Sequence, residues 1–177
     1  MKLFGPLPRI LALAGLLAAT PMAVAPAMAA PADVALLKSY LGSWKGRGTL
    51  VGADSESVVC RLSLSEGNSD KVNYSGRCTL AGTSLAVNGT LAYNDAARRY
   101  EAAMTSNVTF SGLAVGKKSG DNIVFNLKER NKDEEGNDLT VTAAIVLKGK
   151  GQAIGVDFQV IFNATGEMLK ASVPFTK

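Results

Sequence analysis

The residue types that most often perform catalysis or bind metals are scarce in this 177-residue chain. Histidine is absent, and cysteine occurs only at Cys60 and Cys78. Without histidine the chain lacks the usual general base, the Ser-His-acid and Cys-His arrangements, and the commonest ligand of zinc and copper. Neither a G-x-S-x-G motif nor a G-x-x-x-x-G-K-[ST] phosphate loop occurs. We therefore expect a binding protein rather than an enzyme, with no catalytic residue, metal or cofactor.

Carboxylates are concentrated in the segment 128–138, which reads KERNKDEEGND. The side chains of Asp133, Glu134, Glu135 and Asp138 could offer oxygens to calcium, but their spacing does not fit the EF-hand pattern. Because runs of charged residues usually lie in solvent, we predict an exposed hairpin tip here rather than a metal site.

Aromatic residues and one methionine are the remaining candidates for a binding site. The seven that we select share the apolar face of the predicted strands: Trp44, Tyr74, Tyr93, Tyr100, Met104, Phe125 and Phe158. Small residues such as Ala102 and Ala143 share that face, so the stripe is either a filled core or the wall of a cavity. In a cavity, the tyrosine hydroxyls would be the polar contacts of an apolar ligand.

These side chains are positioned by segments in which apolar and polar residues alternate, as they do along β-strands. The predicted strands are 43–51, 56–65, 71–80, 83–94, 98–105, 108–117, 122–128, 138–148, 152–162 and 167–175. Short turns rich in Gly, Asn and Asp separate them. We predict an all-β fold, a single up-and-down antiparallel barrel of about ten strands. A two-sheet sandwich is the competing closure, but the connections are short for its crossovers.

The first strand contains the only tryptophan, in LGSWKGRGTL, after a short helix predicted at 33–41. Gly46 and Gly48 follow Trp44 at every second position and so share its face. This spacing predicts that the indole ring lies over bare backbone and plugs one end of the barrel.

The two cysteines fall on the apolar faces of the second and third strands. An antiparallel register that places Cys60 opposite Cys78 also places Leu62 opposite Gly76. Two cysteines in an exported chain are usually bridged. We therefore predict a disulfide between Cys60 and Cys78.

The N-terminus has the layout of a secretory signal peptide. Lys2 and Arg9 precede an apolar stretch that is too short to span a membrane comfortably, and a small-x-small motif ends at Ala29. We predict a signal peptide at 1–29 and one domain at 30–177.

Cleavage would lower the net charge from +4 to +2. Since lysines alternate with acids along the chain, we expect no nucleic-acid partner and no membrane span after cleavage.

The helix, the G-x-W element and the meander resemble the lipocalin and calycin superfamily. Gly42, Ser43 and Trp44 match G-x-W. Tyr93 and Tyr100 match the hairpin tyrosines of nitrobindin-like barrels, in which a histidine binds haem iron. That haem site does not carry over to a chain without histidine. A weaker resemblance is to small periplasmic inhibitors of metalloproteases.

We expect a secreted, periplasmic protein that holds a small and largely apolar ligand inside its barrel. The alternative is an envelope protein-interaction factor or protease inhibitor that acts through its loops while the barrel interior is filled. The volume of the interior distinguishes the two interpretations.

Overall fold

The computed structural model describes residues 31–80, 82–107, 111–133 and 135–177. Within them the elements are α1 (Pro31–Lys38), β1 (Gly42–Val51), β2 (Ser55–Glu66), β3 (Val72–Leu80), β4 (Thr83–Asn94), β5 (Arg99–Ser106), β6 (Ser111–Ser119), β7 (Asn122–Lys132), β8 (Asp138–Lys148), β9 (Ala153–Phe162) and β10 (Met168–Thr176). Each strand pairs antiparallel with its neighbours in sequence, and β1 pairs with β10 to close the barrel. The predicted ten-stranded up-and-down barrel with a short N-terminal helix is confirmed.

Alternation of side chains gives the barrel one apolar wall and one polar wall. In β7, for example, Ile123, Phe125 and Leu127 are buried, whereas Asn126 and Lys128 are exposed. Successive side chains of a strand point to opposite faces, so this pattern directs the apolar residues inward. Closure then removes the unpaired strand edges that an open sheet would present.

Helix α1 covers one end of the barrel, which we call the α1 end. Lys38 of the helix forms ion pairs with Glu66 and Asp70 beside the β2–β3 turn. Asp33 accepts a hydrogen bond from Tyr100 near the start of β5. We call the opposite end, where turns join β1 to β2 and β9 to β10, the open end. No helix of the described residues is long and apolar enough to cross a membrane.

The inner face of β1 corrects the prediction for its tryptophan. Trp44 is 1% exposed and lies at the α1 end, as expected. The space over Gly46, however, is filled by Val173 and Phe175 of β10, which lie 2.7 and 2.8 Å from where a Cβ atom would stand. The inner surface of Gly46 is therefore covered by side chains of β10, and that of Gly48 by the backbone of Ser172 and by Val173.

The charged segment 128–138 is partly strand. β7 continues to Lys132, four residues beyond the prediction, and leaves only a short turn before β8. In that turn the carboxylate of Asp133 accepts hydrogen bonds from the backbone and side-chain nitrogens of Asn137. The side-chain bond is the main cause of the lowered pKa of Asp133. Glu134 lies outside the described residues, and no cluster able to hold a metal occurs among those described.

Cys60 and Cys78 are directly opposite on β2 and β3, in the predicted register, and their sulfur atoms are 1.97 Å apart. The predicted disulfide is confirmed. Cys60 is 2% exposed and belongs to the core, so the bridge fastens two strands from inside the barrel.

Replacing both cysteines with alanine should lower the free energy of unfolding by about 3 kcal/mol, because the bridge restricts a loop of this size in the unfolded chain. Denaturant titrations of the wild type with and without reductant, and of the Cys60→Ala/Cys78→Ala variant, measure the effect. The variant is its own control, since reductant should not change its midpoint. If reductant does not lower the denaturation midpoint of the wild type, the prediction is contradicted.

Candidate functional site

The α1 end of the interior is closed by Trp44 and its contacts. The indole Nε1 donates a hydrogen bond to the carbonyl of Tyr40 at 2.9 Å, and the Lys177 ammonium lies 5.0 Å from the centre of the indole ring. The Tyr40 hydroxyl is buried without a hydrogen-bond partner, although the nearby backbone N–H groups of Gly151 and Lys150 oppose part of the rise that burial causes in its pKa.

Three of the other predicted site residues form a chain of aromatic contacts beside this plug. The ring centres of Tyr93 and Tyr100 are 5.0 Å apart, and those of Tyr100 and Phe125 are 6.4 Å apart, both in edge-to-face geometry. The Tyr100 hydroxyl donates to Asp33 at 2.6 Å. Burial, and then this hydrogen bond, raise the pKa of Tyr100. Tyr100 and Phe125 are each 1% exposed, so both belong to the filled base of the barrel.

Tyr74 lies on the inner face of β3, opposite Gly89 of β4. Its hydroxyl crosses the inner surface of Gly89, 2.6 Å from where a Cβ atom would stand, and donates to the carbonyl of Ala103 at 3.0 Å. Burial raises the pKa of Tyr74 to about 12. The hydroxyls of Tyr74 and Tyr100 therefore donate to acceptors within the protein, whereas the sequence analysis expected the tyrosine hydroxyls to be polar contacts of a ligand.

Met104 and Phe158 lie on the inner wall beside very small residues. Met104 pairs with Gly89 and Gly112, and Phe158 pairs with Ala143 and Ala171. Both are only partly buried. Phe158 lies near the middle of β9, where a filled barrel would cover it fully.

Burial of the inner wall is uneven. Ile123, Ile154 and Leu147 near the α1 end are buried, and so are Val58 and Val141 nearer the open end. Other inward hydrophobic side chains keep accessible surface: Leu50, Leu62, Tyr74, Val87, Met104, Ile145, Val156, Phe158, Val160 and Phe162. Because these side chains point inward, the accessible surface means that water-sized space adjoins them. The interior is therefore incompletely filled.

The seven predicted residues separate into two groups by burial. Trp44, Tyr100 and Phe125 are core residues. Tyr74, Tyr93, Met104 and Phe158 are partly accessible.

Two polar residues on the inner wall were missed by the sequence analysis. Glu129 and Asn131 continue the inward positions of β7 toward the open end and pair with Val141 and Leu139. The Asn131 Nδ2 atom is buried without a hydrogen-bond partner. The signal that could have found them is the alternation of β7, which continues unbroken past Lys128.

Two depressions lie across the sheet. One, of ≈ 700 Å³, crosses β7, β8, β9, β10 and β1, and the other, of ≈ 380 Å³, crosses β4, β5 and β6. The larger is lined both by outward residues, such as Thr142 and Gln159, and by the inward residues Leu127, Ala143 and Phe158. Of the predicted site residues, Phe158 borders the larger depression and Met104 the smaller.

No family model and no curated protein sequence matches the chain. Solved structures do match its fold. A crystal structure of Rv2717c from M. tuberculosis superposes with a TM-score of 0.63 at 15% identity, covering 84% of this chain and 98% of that one. The S-type phycobiliprotein lyase CPES from Guillardia theta superposes with a TM-score of 0.50 at 9% identity, covering 85% and 93%. At these identities the likeness shows a shared lipocalin-like barrel fold.

The second likeness corrects one expectation from the sequence. We predicted that the protein is not an enzyme because histidine and the familiar catalytic motifs are missing. A barrel of the same fold nevertheless occurs in a protein named a lyase. The prediction is therefore wrong as drawn, since neither this fold nor the missing histidine separates a binding protein from an enzyme.

Replacing Tyr74 with phenylalanine should weaken the pH dependence of stability in alkali. The unfolded tyrosine ionises near its ordinary pKa of 10.0 and the folded one near 12. The folded state thus retains a proton that the unfolded state has lost, and stability falls as pH rises from about 10 to about 12. Denaturant midpoints measured across this range should fall less steeply for Tyr74→Phe than for the wild type. If the midpoints of the two proteins fall equally steeply with pH, the pKa of Tyr74 is not raised in the folded state.

Proposed function

We propose that the protein binds a small, largely apolar ligand inside the barrel, entering from the open end. The observation that carries this proposal is the set of inward hydrophobic side chains that remain partly accessible, among them Val87, Val156 and Phe158 well inside their strands. An apolar wall that the chain itself leaves uncovered is the usual character of a small-molecule site. The barrel fold shared with a phycobiliprotein lyase is compatible with such a role.

The ligand would contact the partly accessible residues of the predicted site and would lie against the covered aromatic residues. Tyr74, Met104 and Phe158 would supply its apolar contacts, and Tyr93 would lie at the boundary with the base. Trp44, Tyr100 and Phe125 would act as the floor, because their side chains are already covered. Burying ~200 Å² of apolar ligand surface would contribute ~5 kcal/mol before the entropy of association is subtracted.

We further propose that the chain is exported to the periplasm, with residues 1–29 as its signal peptide, and that it belongs to the lipocalin and calycin superfamily. The Cys60–Cys78 bridge supports export, since disulfides persist in oxidising compartments.

Export predicts a mature protein that begins at Ala30. Intact-mass measurement of protein recovered from the periplasm after expression of the full chain checks this, because cleavage at this bond fixes the mass. Protein that retains residues 1–29, or that remains in the cytoplasm, would contradict the assignment.

Native mass spectrometry of protein purified gently from its own compartment tests ligand binding directly. A co-purifying mass that disappears in organic solvent and reappears in the extract is the expected result. If no molecule co-purifies and no lipid or hydrophobic compound raises the melting temperature, the proposal fails. The alternative, interaction through the loops, would then be the function to test.

Ala143→Phe should weaken binding of the identified ligand at least tenfold, because the new ring would occupy space beside Phe158 on the inner wall. Ala144→Phe is the matched control, since it adds the same ring at the next position of β8 on the outer face. Ligand affinities and melting temperatures of both variants are to be measured together. Equal loss of affinity in the two variants would place the ligand elsewhere.

A further inference from the structure

Cations from three neighbouring strands meet on the outer wall of the barrel. Lys45 of β1 is directly opposite Arg61 of β2, and Arg61 is directly opposite Arg77 of β3. Residues paired in this way have Cβ atoms about 5 Å apart. Arg47 lies two positions along β1 on the same face, and all four side chains are exposed. We call Lys45, Arg47, Arg61 and Arg77 the cationic wall.

Nothing on this part of the sheet neutralises the cationic wall. The other outward residues of the three strands are uncharged: Ser43, Thr49, Val51, Ser55, Ser57, Val59, Ser63, Ser65, Asn73, Ser75 and Thr79. Within the described residues the four cations form no ion pair, whereas Lys38, Arg99, Lys118, Lys132 and Lys150 each lie within 4 Å of a carboxylate. Like charges placed directly opposite destabilise a sheet, so the arrangement is unfavourable to the isolated barrel.

We propose that the cationic wall docks the protein on the surface of an anionic phospholipid membrane. Three cations in a row across the sheet, with a fourth beside them, can contact several lipid phosphates at once, and each cation near an anionic surface adds to the attraction. Contact with the membrane would also relieve the repulsion within the row.

Two exposed valines favour a lipid surface over other polyanions. Val59 is directly opposite Arg47 and is 44% exposed, and Val51 on the same face of β1 is 49% exposed. Apolar side chains among cations suit the boundary between headgroups and acyl chains, where long basic side chains reach the phosphates. Single-stranded nucleic acid is instead bound by aromatic side chains among cations, and the outward residues of β1, β2 and β3 include none.

This inference depends on the proposed export only for access to a membrane surface, and it does not depend on a ligand in the interior. Vesicle binding and native mass spectrometry therefore test the two proposals separately, and failure of one does not imply failure of the other.

Co-sedimentation with vesicles tests the cationic wall. Protein expressed from the full chain is mixed with vesicles of phosphatidylcholine alone, or of equal parts phosphatidylcholine and phosphatidylglycerol. We expect binding only to the anionic vesicles, and release as salt is raised. Arg61→Gln/Arg77→Gln should lower the partition coefficient about 30-fold, which corresponds to about fivefold for each cation.

The matched control is Lys128→Gln/Arg130→Gln, which removes the same net charge from exposed positions on the outer face of β7. It should change binding less than threefold. Both double variants should retain the melting temperature of the wild type, or exceed it in the case of Arg61→Gln/Arg77→Gln. Three results would each overturn the proposal: no binding to anionic vesicles, equal losses in the two double variants, or tighter binding to single-stranded DNA than to the vesicles.

Discussion

The hydrogen bond from the Trp44 indole to the carbonyl of Tyr40 joins the end of α1 to the start of β1, and the organisation of the barrel follows from it. A buried indole N–H needs an acceptor, and the chain just before β1 provides one. With the helix held there, Asp33 lies within reach of Tyr100 and Lys118, and Lys38 within reach of the β2–β3 turn. One short helix is thereby fixed to several strands at one end of the barrel.

The incomplete filling of the interior has a simple geometric cause. A ten-stranded barrel is wider than side chains alone can fill, particularly where large residues face Gly89, Gly112, Ala143 and Ala171 across the sheet. Near α1, the rings of Trp44, Tyr100 and Phe125 fill part of this space. Other inward hydrophobic side chains, such as Val87, Phe158 and Val160, retain accessible surface.

Much of this architecture could be predicted because face parity is a local property of the sequence. The strand predicted at 83–94 contains Asn88-Gly89, a dipeptide typical of hairpin turns, and β4 is nevertheless continuous. A Cβ atom at Gly89 would collide with the Ala103 carbonyl oxygen and with the Tyr74 hydroxyl that donates to it. That acceptor could not be predicted, since it depends on the distance between atoms two strands apart. For the same reason, no pattern in β1 revealed that β10 would cover its glycines.

Part of the cationic wall on the outer face could have been predicted from the sequence but was not. The register set by Cys60 and Cys78 places Arg61 opposite Arg77, so half of the cationic wall could have been derived from the disulfide. Adding Lys45 requires the register of β1 with β2, which no covalent marker indicates. Because the bridge fixes β2 against β3, these strands cannot slide to separate Arg61 from Arg77, and the repulsion persists in the folded state. An anion bound to the folded wall would remove that repulsion, and by linkage would stabilise the fold that presents it. The disulfide and the cations thus lie on opposite faces of the same two strands. The disulfide fixes the register of β2 with β3, and in that register Arg61 and Arg77 form a surface that would attract anions.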